Sequence, residues 1–241
     1  FVLNEAEVTL SSFLKDFKQG KAKRIYMSSE FADIRKTPVP LWELADLRRY
    51  ISMSIQYSRG CPYHCEFCNV TTLFGHRPRI KSAGQITAEL DRFYSLGWRG
   101  SIFFVDDNLV GNLSHAKELL TMLSQYRLRW VSQGPIHIAE DDAMVKLMAR
   151  AGCHGLFIGF ESLREENLNL MGKRINRVQA YEKGIQKLHD AGIGVYASFV
   201  FGYDYDDASV FDEFITFAEK NRIDGAFLPI LTPFPGTRVY Q

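Results

Sequence analysis

Three of the four cysteines in this chain, Cys61, Cys65 and Cys68, fall within eight residues at the spacing C-x3-C-x2-C. Thiols that close share a metal or cluster, pair as a disulfide with one left over, or sit together by chance. Gly60 and Pro62 break regular structure around the first cysteine and leave a loop free to wrap a bound group. An odd local count, with no secretory signal visible, argues against a disulfide. Zinc remains an alternative, because Cys3His is a common structural site and both His64 and His76 are near. Zinc ribbons usually draw their ligands as two separated pairs, however, and no second pair is present. Three cysteines alone suit an iron–sulfur cluster with one iron left open to a substrate or cofactor.

The stretch Gly60-Cys61-Pro62-x-x-Cys65-x-Phe67-Cys68 resembles the signature loop of the radical S-adenosylmethionine (SAM) superfamily. The resemblance implies that the three cysteines hold a [4Fe–4S] cluster whose fourth iron is chelated by the amino and carboxylate groups of SAM. One electron from the cluster then cleaves SAM to methionine and a 5′-deoxyadenosyl radical, which abstracts a substrate hydrogen. An electron donor such as flavodoxin or ferredoxin is implied with it.

Composition sets only broad bounds. The 241 residues suffice for one large domain, and 46% hydrophobic with 24% charged residues is ordinary for a globular chain. A formal net charge of +1 gives no argument for nucleic acid or for an anionic membrane. No apolar run approaches the ~18 residues of a membrane span, and no targeting segment is visible. Free thiols and a reducible cluster fit a reducing cytoplasm. The chain opens on Phe1 and ends just after a strand-like run, as expected of a piece of something longer.

Along the chain, residues 5–19 carry Val8, Phe13, Leu14 and Phe17 with Gly20 as a stop, which predicts a surface helix. Residues 21–50 show little periodicity and, with Pro38 and Pro40, read as a connector. Apolar runs then predict strands at 52–58, 101–105, 130–133, 156–160, 195–201 and 226–231. Several are continuous, the pattern of parallel strands covered on both faces. Amphipathic stretches at 83–96, 113–126, 141–151, 177–191 and 208–220 predict the helices between them, with Asn112 a cap and Gly97, Gly152 and Gly192 stops. Six βα units argue for a parallel barrel or an open sheet, and a doubly wound sheet stays possible on this reading. The resemblance implies the superfamily's open, partial (β/α)6 barrel over residues 51–241. Residues 1–50 then form an N-terminal helix and connector, the tail of an upstream cobalamin-binding domain.

In parallel α/β folds ligands bind at the carboxyl ends of strands, and the unusual residues of this chain cluster there. The cysteines follow the first run, Asp106-Asp107-Asn108 the second, Gln133-Gly134-Pro135 the third, Glu161-Ser162 the fourth, Gly202-Tyr203-Asp204 the fifth and 232–237 the sixth. The opposite ends carry turn residues such as Gly97, Gly155 and Gly225, so one shared site is expected. The resemblance then assigns roles. Phe67 and Asn69 match positions that lie against adenine. Asp106, Asp107 and Asn108 replace the family's glycine-glycine-glutamate segment, which holds the methionine amino group; with the glycines missing, the acidic group that takes the role is open. Glu161 matches a residue bonding the ribose hydroxyls, a diol that a carboxylate serves by accepting two bonds. Lys173, with Arg174 as alternative, matches a contact to the SAM carboxylate, and Ser198 and Val200 match contacts to ribose and adenine.

Three features are set aside. Gly192-Ile193-Gly194-Val195-Tyr196-Ala197 matches a dinucleotide string, but its glycines precede a strand. Cys153 reads as a buried small hydrophobe. The basic loop of His76, Arg77, Arg79 and Lys81 reads as solvated.

The resemblance is closest to cobalamin-associated members, carried by Asn4-Glu5-Ala6-Glu7, Thr37-Pro38-x-Pro40, the residues from Ser54 to Gly60, Phe104 to Asn108, and Pro233-Phe234-Pro235-Gly236-Thr237. It implies methyl transfer to an unactivated carbon of a small-molecule or lipid substrate. Cobalamin, if used, is bound mainly outside this chain, since no histidine here has an aspartate two positions before it. The alternatives are a radical rearrangement, cyclisation or oxidation without cobalamin, or a non-catalytic zinc-binding domain.

Overall fold

The apolar runs become strands because each alternates a side chain that helices can cover with one that they leave open. The computed structural model describes residues 1–241. Its eight strands are β1 (Ser52–Ile55), β2 (Ser58–Arg59), β3 (Arg79–Ile80), β4 (Ser101–Phe104), β5 (Trp130–Gly134), β6 (Cys153–Glu161), β7 (Gly194–Phe199) and β8 (Gly225–Phe227). The helices are α1 (Ala6–Lys18), α2 (Val70–Phe74), α3 (Ala83–Ser95), α4 (Leu113–Leu123), α5 (Asp142–Arg150), α6 (Glu165–Leu170), α7 (Val178–Asp190) and α8 (Ser209–Lys220).

Six strands form one sheet in the order β1-β4-β5-β6-β7-β8, every neighbouring pair parallel. Strand order follows chain order without reversal, so right-handed crossovers put the connecting helices on one face. A doubly wound sheet would reverse direction part-way. β1 and β8 do not pair with each other. The sheet is an open, partial (β/α)6 barrel.

One expectation needs correction. The strands are covered on one face rather than both. Ile102 and Phe104 of β4, and Val195, Ala197 and Phe199 of β7, are buried, while Phe103, Tyr196 and Ser198 between them are only half-buried. The wall of an unclosed barrel keeps its concave side partly open. Three of the predicted runs are also too long, 195–201 among them, since β7 stops at Phe199. Residues 52–58 break at Gln56-Tyr57, and β8 stops at Phe227 with only an isolated bridge from Phe201 to Ile230 beyond it. The helices fall within a few residues of the expected bounds, helped by caps. Asn112 accepts from the His115 N–H at 3.3 Å, and Ser82 and Gln85 form a reciprocal capping box.

The packed side fixes the ends of the strands. Phe160 stacks on Phe199 at 5.5 Å, and Tyr181 and Phe217 meet it edge-on. Each ring buried this fully stabilises the fold by ~1.5–3 kcal/mol, so the carboxyl end of β6, next to Glu161, is among the firmest points of the sheet. Trp130 is fully buried, and its indole N–H donates to the Ala151 carbonyl at 2.8 Å. The connector at 21–50 is more structured than its sequence suggests. It holds 3-10 turns at Ile34–Lys36, Trp42–Leu44 and Leu47–Arg49, and Trp42 packs on Phe93 at 4.7 Å.

Candidate functional site

The cysteine loop is an excursion whose neck is the two-residue ribbon β2–β3, with Ser58 opposite Ile80 and Arg59 opposite Arg79. Just inside the neck the Cys61 N–H donates to the Gly75 carbonyl at 3.3 Å. Gly60 has φ +94°, and a β-carbon there would sit 2.9–3.1 Å from the carbonyl oxygens of Gly75, Arg77 and Phe74. Farther out, the Glu66 N–H donates to the Met171 carbonyl at 2.9 Å, and Thr72 Oγ1 donates to that of Gly236 at 3.1 Å. The loop is thereby tied to the end of α6 and to the C-terminal turn.

All three thiols are half-buried and line a cleft of about 410 Å3 at the carboxyl ends of the strands. Of the residues singled out in the sequence, Phe67, Asp107, Asn108, Glu161, Lys173, Ser198 and Val200 line the same cleft. Asp106, Asn69 and Arg174 do not. Asp106 is fully buried behind it, where its carboxylate accepts from the N–H of Tyr57 at 3.0 Å, from the N–H of Ser58 and from Ser58 Oγ at 2.5 Å. Burial raises its pKa to about 6 against those stabilising bonds. It braces the end of β1 that leads into the cysteines. Asp107, the adjacent residue, is open at the cleft. Asn69 opens α2, and Arg174 points to solvent.

Across the cleft, Glu161 ends β6 with φ +67°, a left-handed conformation that a side chain seldom takes without surrounding support. The neighbouring backbone and Asn176 supply that support. A register shift between Gly159 and Glu161 frees the strand end, the Val200 N–H donates to the Glu161 carbonyl at 2.9 Å, and Asn176 Nδ2 donates to the carbonyls of both Gly159 and Phe160 at 2.9 Å. The Glu161 carboxylate bonds Lys173 Nζ, with the two side chains only 7% and 12% exposed. Burial disfavours the ammonium of Lys173, but the Glu161 carboxylate together with the nearby Cys65 and Cys68 sulfurs outweighs it and holds the lysine's pKa above its ordinary value.

The sequence model described as the radical SAM superfamily matches residues 55–218. The chain belongs to the radical SAM superfamily. It is 35% identical to an uncharacterized methyltransferase of Synechocystis, over 100% of this chain and 46% of that protein. It is 31% identical to the hopanoid C-2 methylase of Rhodopseudomonas palustris, over 96% of this chain and 45% of that one. The chain thus spans about half the length of these relatives. In fold it is similar to the cobalamin-dependent SAM radical enzyme OxsB, with a TM-score of 0.73 and 20% identity over 98% of this chain and 37% of that one.

The residues fit the groups a radical SAM chain carries. Three thiols present sulfur from one loop to one cleft whose size is that of a cofactor site. Burial pushes the Cys65 thiol up to about 11 and raises that of Cys68, so a bound metal must displace their protons. No three His, Cys, Asp or Glu side chains close around a single-ion position. Cys153 lies at the start of β6, at the opposite end of the sheet, buried with its thiol pushed up to about 12 by burial.

The basic loop is not one solvated patch. Lys81 is buried against Glu89 at 2.6 Å, and Arg79 is bonded to Glu5 at 2.8 Å, leaving His76 and Arg77 outside. A second cavity of about 420 Å3, between Ile136–Glu140 and α7, contains none of the thiols. Besides apolar wall residues such as Phe157 and Leu231, two polar-tipped residues in and behind the site were not singled out from sequence. Tyr63, between the first two cysteines, lines the cleft and meets His137 at 3.4 Å, and Asn176 braces Glu161 from behind. Only the latter left a trace in the sequence, as a polar residue just ahead of an amphipathic helix.

Proposed function

We propose that the protein containing this chain is a radical SAM enzyme, with methyl transfer to an unactivated carbon of a small-molecule or lipid substrate as its reaction. The observation that carries this reading is the convergence of Cys61, Cys65 and Cys68 with Asp107, Asn108, Glu161 and Lys173 on one cleft. A [4Fe–4S] cluster with SAM supplies one-electron reduction and hydrogen abstraction when bound there.

The chain's own side chains divide the work of holding SAM. Asp107 offers a solvent-facing carboxylate to the amino group. Lys173 offers a buried ammonium to the SAM carboxylate, and its pairing with Glu161 keeps it charged. Glu161, aimed into the cleft by its backbone, accepts from the ribose diol. Ser198 and Val200 supply wall for ribose and adenine, with Phe67 against the ring. Apolar walls from Phe157, Ile158, Val200 and Leu231 keep water from the reacting groups.

The methyltransferase names of two relatives and the cobalamin-dependent fold neighbour support methylation, with cobalamin held mainly by chain beyond these residues. On this reading residues 1–50 form the join to that part, the electron donor is a flavodoxin or ferredoxin, and the setting is a reducing cytoplasm. No helix is long and apolar enough to cross a membrane. Product analysis after anaerobic turnover tests the reading. Deoxyadenosine with S-adenosylhomocysteine is expected. Deoxyadenosine alone would turn the assignment to a rearrangement, cyclisation or oxidation, and a protein holding one zinc without iron or sulfide would leave a non-catalytic binding domain.

A further inference from the structure

The neck of the cysteine loop carries an electrostatic problem. Arg59 and Arg79 stand directly opposite each other across the β2–β3 ribbon, one cross-strand pair of like charges in a ladder two residues long. Like charges in that position push strands apart, and these guanidiniums are only 16% and 20% exposed, so water screens them little. The ribbon holds because a third element supplies the counter-charge.

That element is the N-terminal arm. Glu5, whose side chain is 3% exposed, reaches both arginines: Arg79 Nη2 at 2.8 Å and Nη1 at 2.9 Å, and Arg59 Nη1 at 3.2 Å. The Ala32 N–H also donates to the Glu5 carboxylate. Arg59 further contacts Glu7 and, through Nε, Gln56 Oε1 at 2.7 Å. Arg79 reaches back to the Ala32 carbonyl at 2.7 Å and the Phe74 carbonyl at 3.2 Å, and its guanidinium lies over the Phe31 ring at 4.8 Å. Phe31 in turn fills the space beside Gly75, where a β-carbon would meet its ring at 3.0 Å. Gly75 is the residue whose carbonyl receives the Cys61 N–H.

We propose that Glu5 is a positioning residue that latches the neck of the cysteine loop shut by pairing with Arg59 and Arg79 at once, while Glu7 gives Arg59 the second negative charge. Its importance for the bound group rests on reading Cys61, Cys65 and Cys68 as the cluster ligands. The latch couples a segment 56 residues before Cys61 in sequence to the geometry of the ligand loop. The N-terminal arm is therefore a working part of the site rather than a tether.

Hydrogen exchange in the whole chain tests the latch, read both without metal and after anaerobic loading with iron and sulfide. In Glu5→Gln, which keeps shape and loses charge, peptides covering residues 57–81 should exchange about ten to a hundred times faster, the loss of charge-assisted bonds. Peptides from β4 and β6 should be unchanged. Removing one of the opposed charges as well, in Glu5→Gln with Arg59→Gln, should restore part of the protection. The electron paramagnetic resonance spectrum of the loaded Glu5→Gln protein should broaden per cluster, a change that a merely less stable fold would not give. Unchanged exchange at 57–81, or an equal increase across the whole chain, would overturn the latch. A latch seen by exchange in a protein that takes up no iron would uphold it and reject the cluster reading instead.

Discussion

Replacing Gly60 by alanine puts a methyl group where the chain has no room. Gly60 sits at φ +94°, and its added carbon would stand 2.9, 3.0 and 3.1 Å from the carbonyl oxygens of Gly75, Arg77 and Phe74. Holding a non-glycine residue at positive φ costs about 1–2 kcal/mol, and overpacking against backbone that cannot move away costs about 1–3 kcal/mol more. The sum of ~2–5 kcal/mol falls on the neck of the cysteine loop. At 1.4 kcal/mol per factor of ten, the closed loop becomes roughly thirty- to several-thousandfold less populated. Gly97 supplies the control, since it has φ +84° and nothing within 4 Å of an added carbon. Gly97→Ala therefore bears the backbone cost without the collision. Iron and sulfide per chain after anaerobic reconstitution, measured beside urea midpoints, separate the two. Gly60→Ala should lose most of its cluster while the main sheet unfolds near the parent midpoint. Gly97→Ala should load normally and lose only about 1–2 kcal/mol of stability. Normal loading by Gly60→Ala would refute the idea that this crowding sets the loop.

Three further outcomes follow from the same contacts. Cys61, Cys65 or Cys68 to alanine should abolish cluster loading, whereas Cys153→Ala should leave it intact at a cost of about 1 kcal/mol in the urea midpoint. Glu161→Gln should weaken SAM binding about tenfold or more by equilibrium titration with iron content unchanged, and equal affinity would return Glu161 to a purely structural role. Asp106 should make stability fall with rising pH. Its carboxyl titrates near 3.8 when unfolded and about 6 when buried, so between those values the folded state binds the extra proton. Stability should therefore drop by about 2 kcal/mol from pH 4 to 6 and by about 3 kcal/mol in all before levelling off above about pH 7, a component that Asp106→Asn lacks in urea titrations across that range.

How much of this was legible in the sequence depended on how local the cause was. Helices announced themselves through periodicity and caps such as Asn112. The strand ends announced themselves through polar residues after apolar runs, because in a parallel sheet every such end faces the same rim. What the sequence hid was direction. Asp106 and Asp107 are adjacent and chemically alike, yet one points behind the strand into three donors while the other faces the cleft. Only the twist of the chain after β4 decides between them. Lys173 and Arg174 divide in the same way. The short ribbon β2–β3 was hidden too, since two residues on each side give no period. Arg79 in the ribbon and Lys81 just after it read as a solvated basic loop, but Glu5, 74 residues away, and Glu89, in the helix that follows, pair with them. Strand order could not be read from pattern at all. It was implied by resemblance and is fixed here by the chain-order pairing of the sheet.

The central claim is that the three thiols hold a cluster with one iron open to SAM. Anaerobic reconstitution with iron and sulfide, followed by electron paramagnetic resonance of the reduced protein with and without SAM, tests it most directly. A reduced-cluster signal that shifts when SAM is added is the predicted result. A signal indifferent to SAM, or a protein that takes up zinc and no cluster, would contradict it.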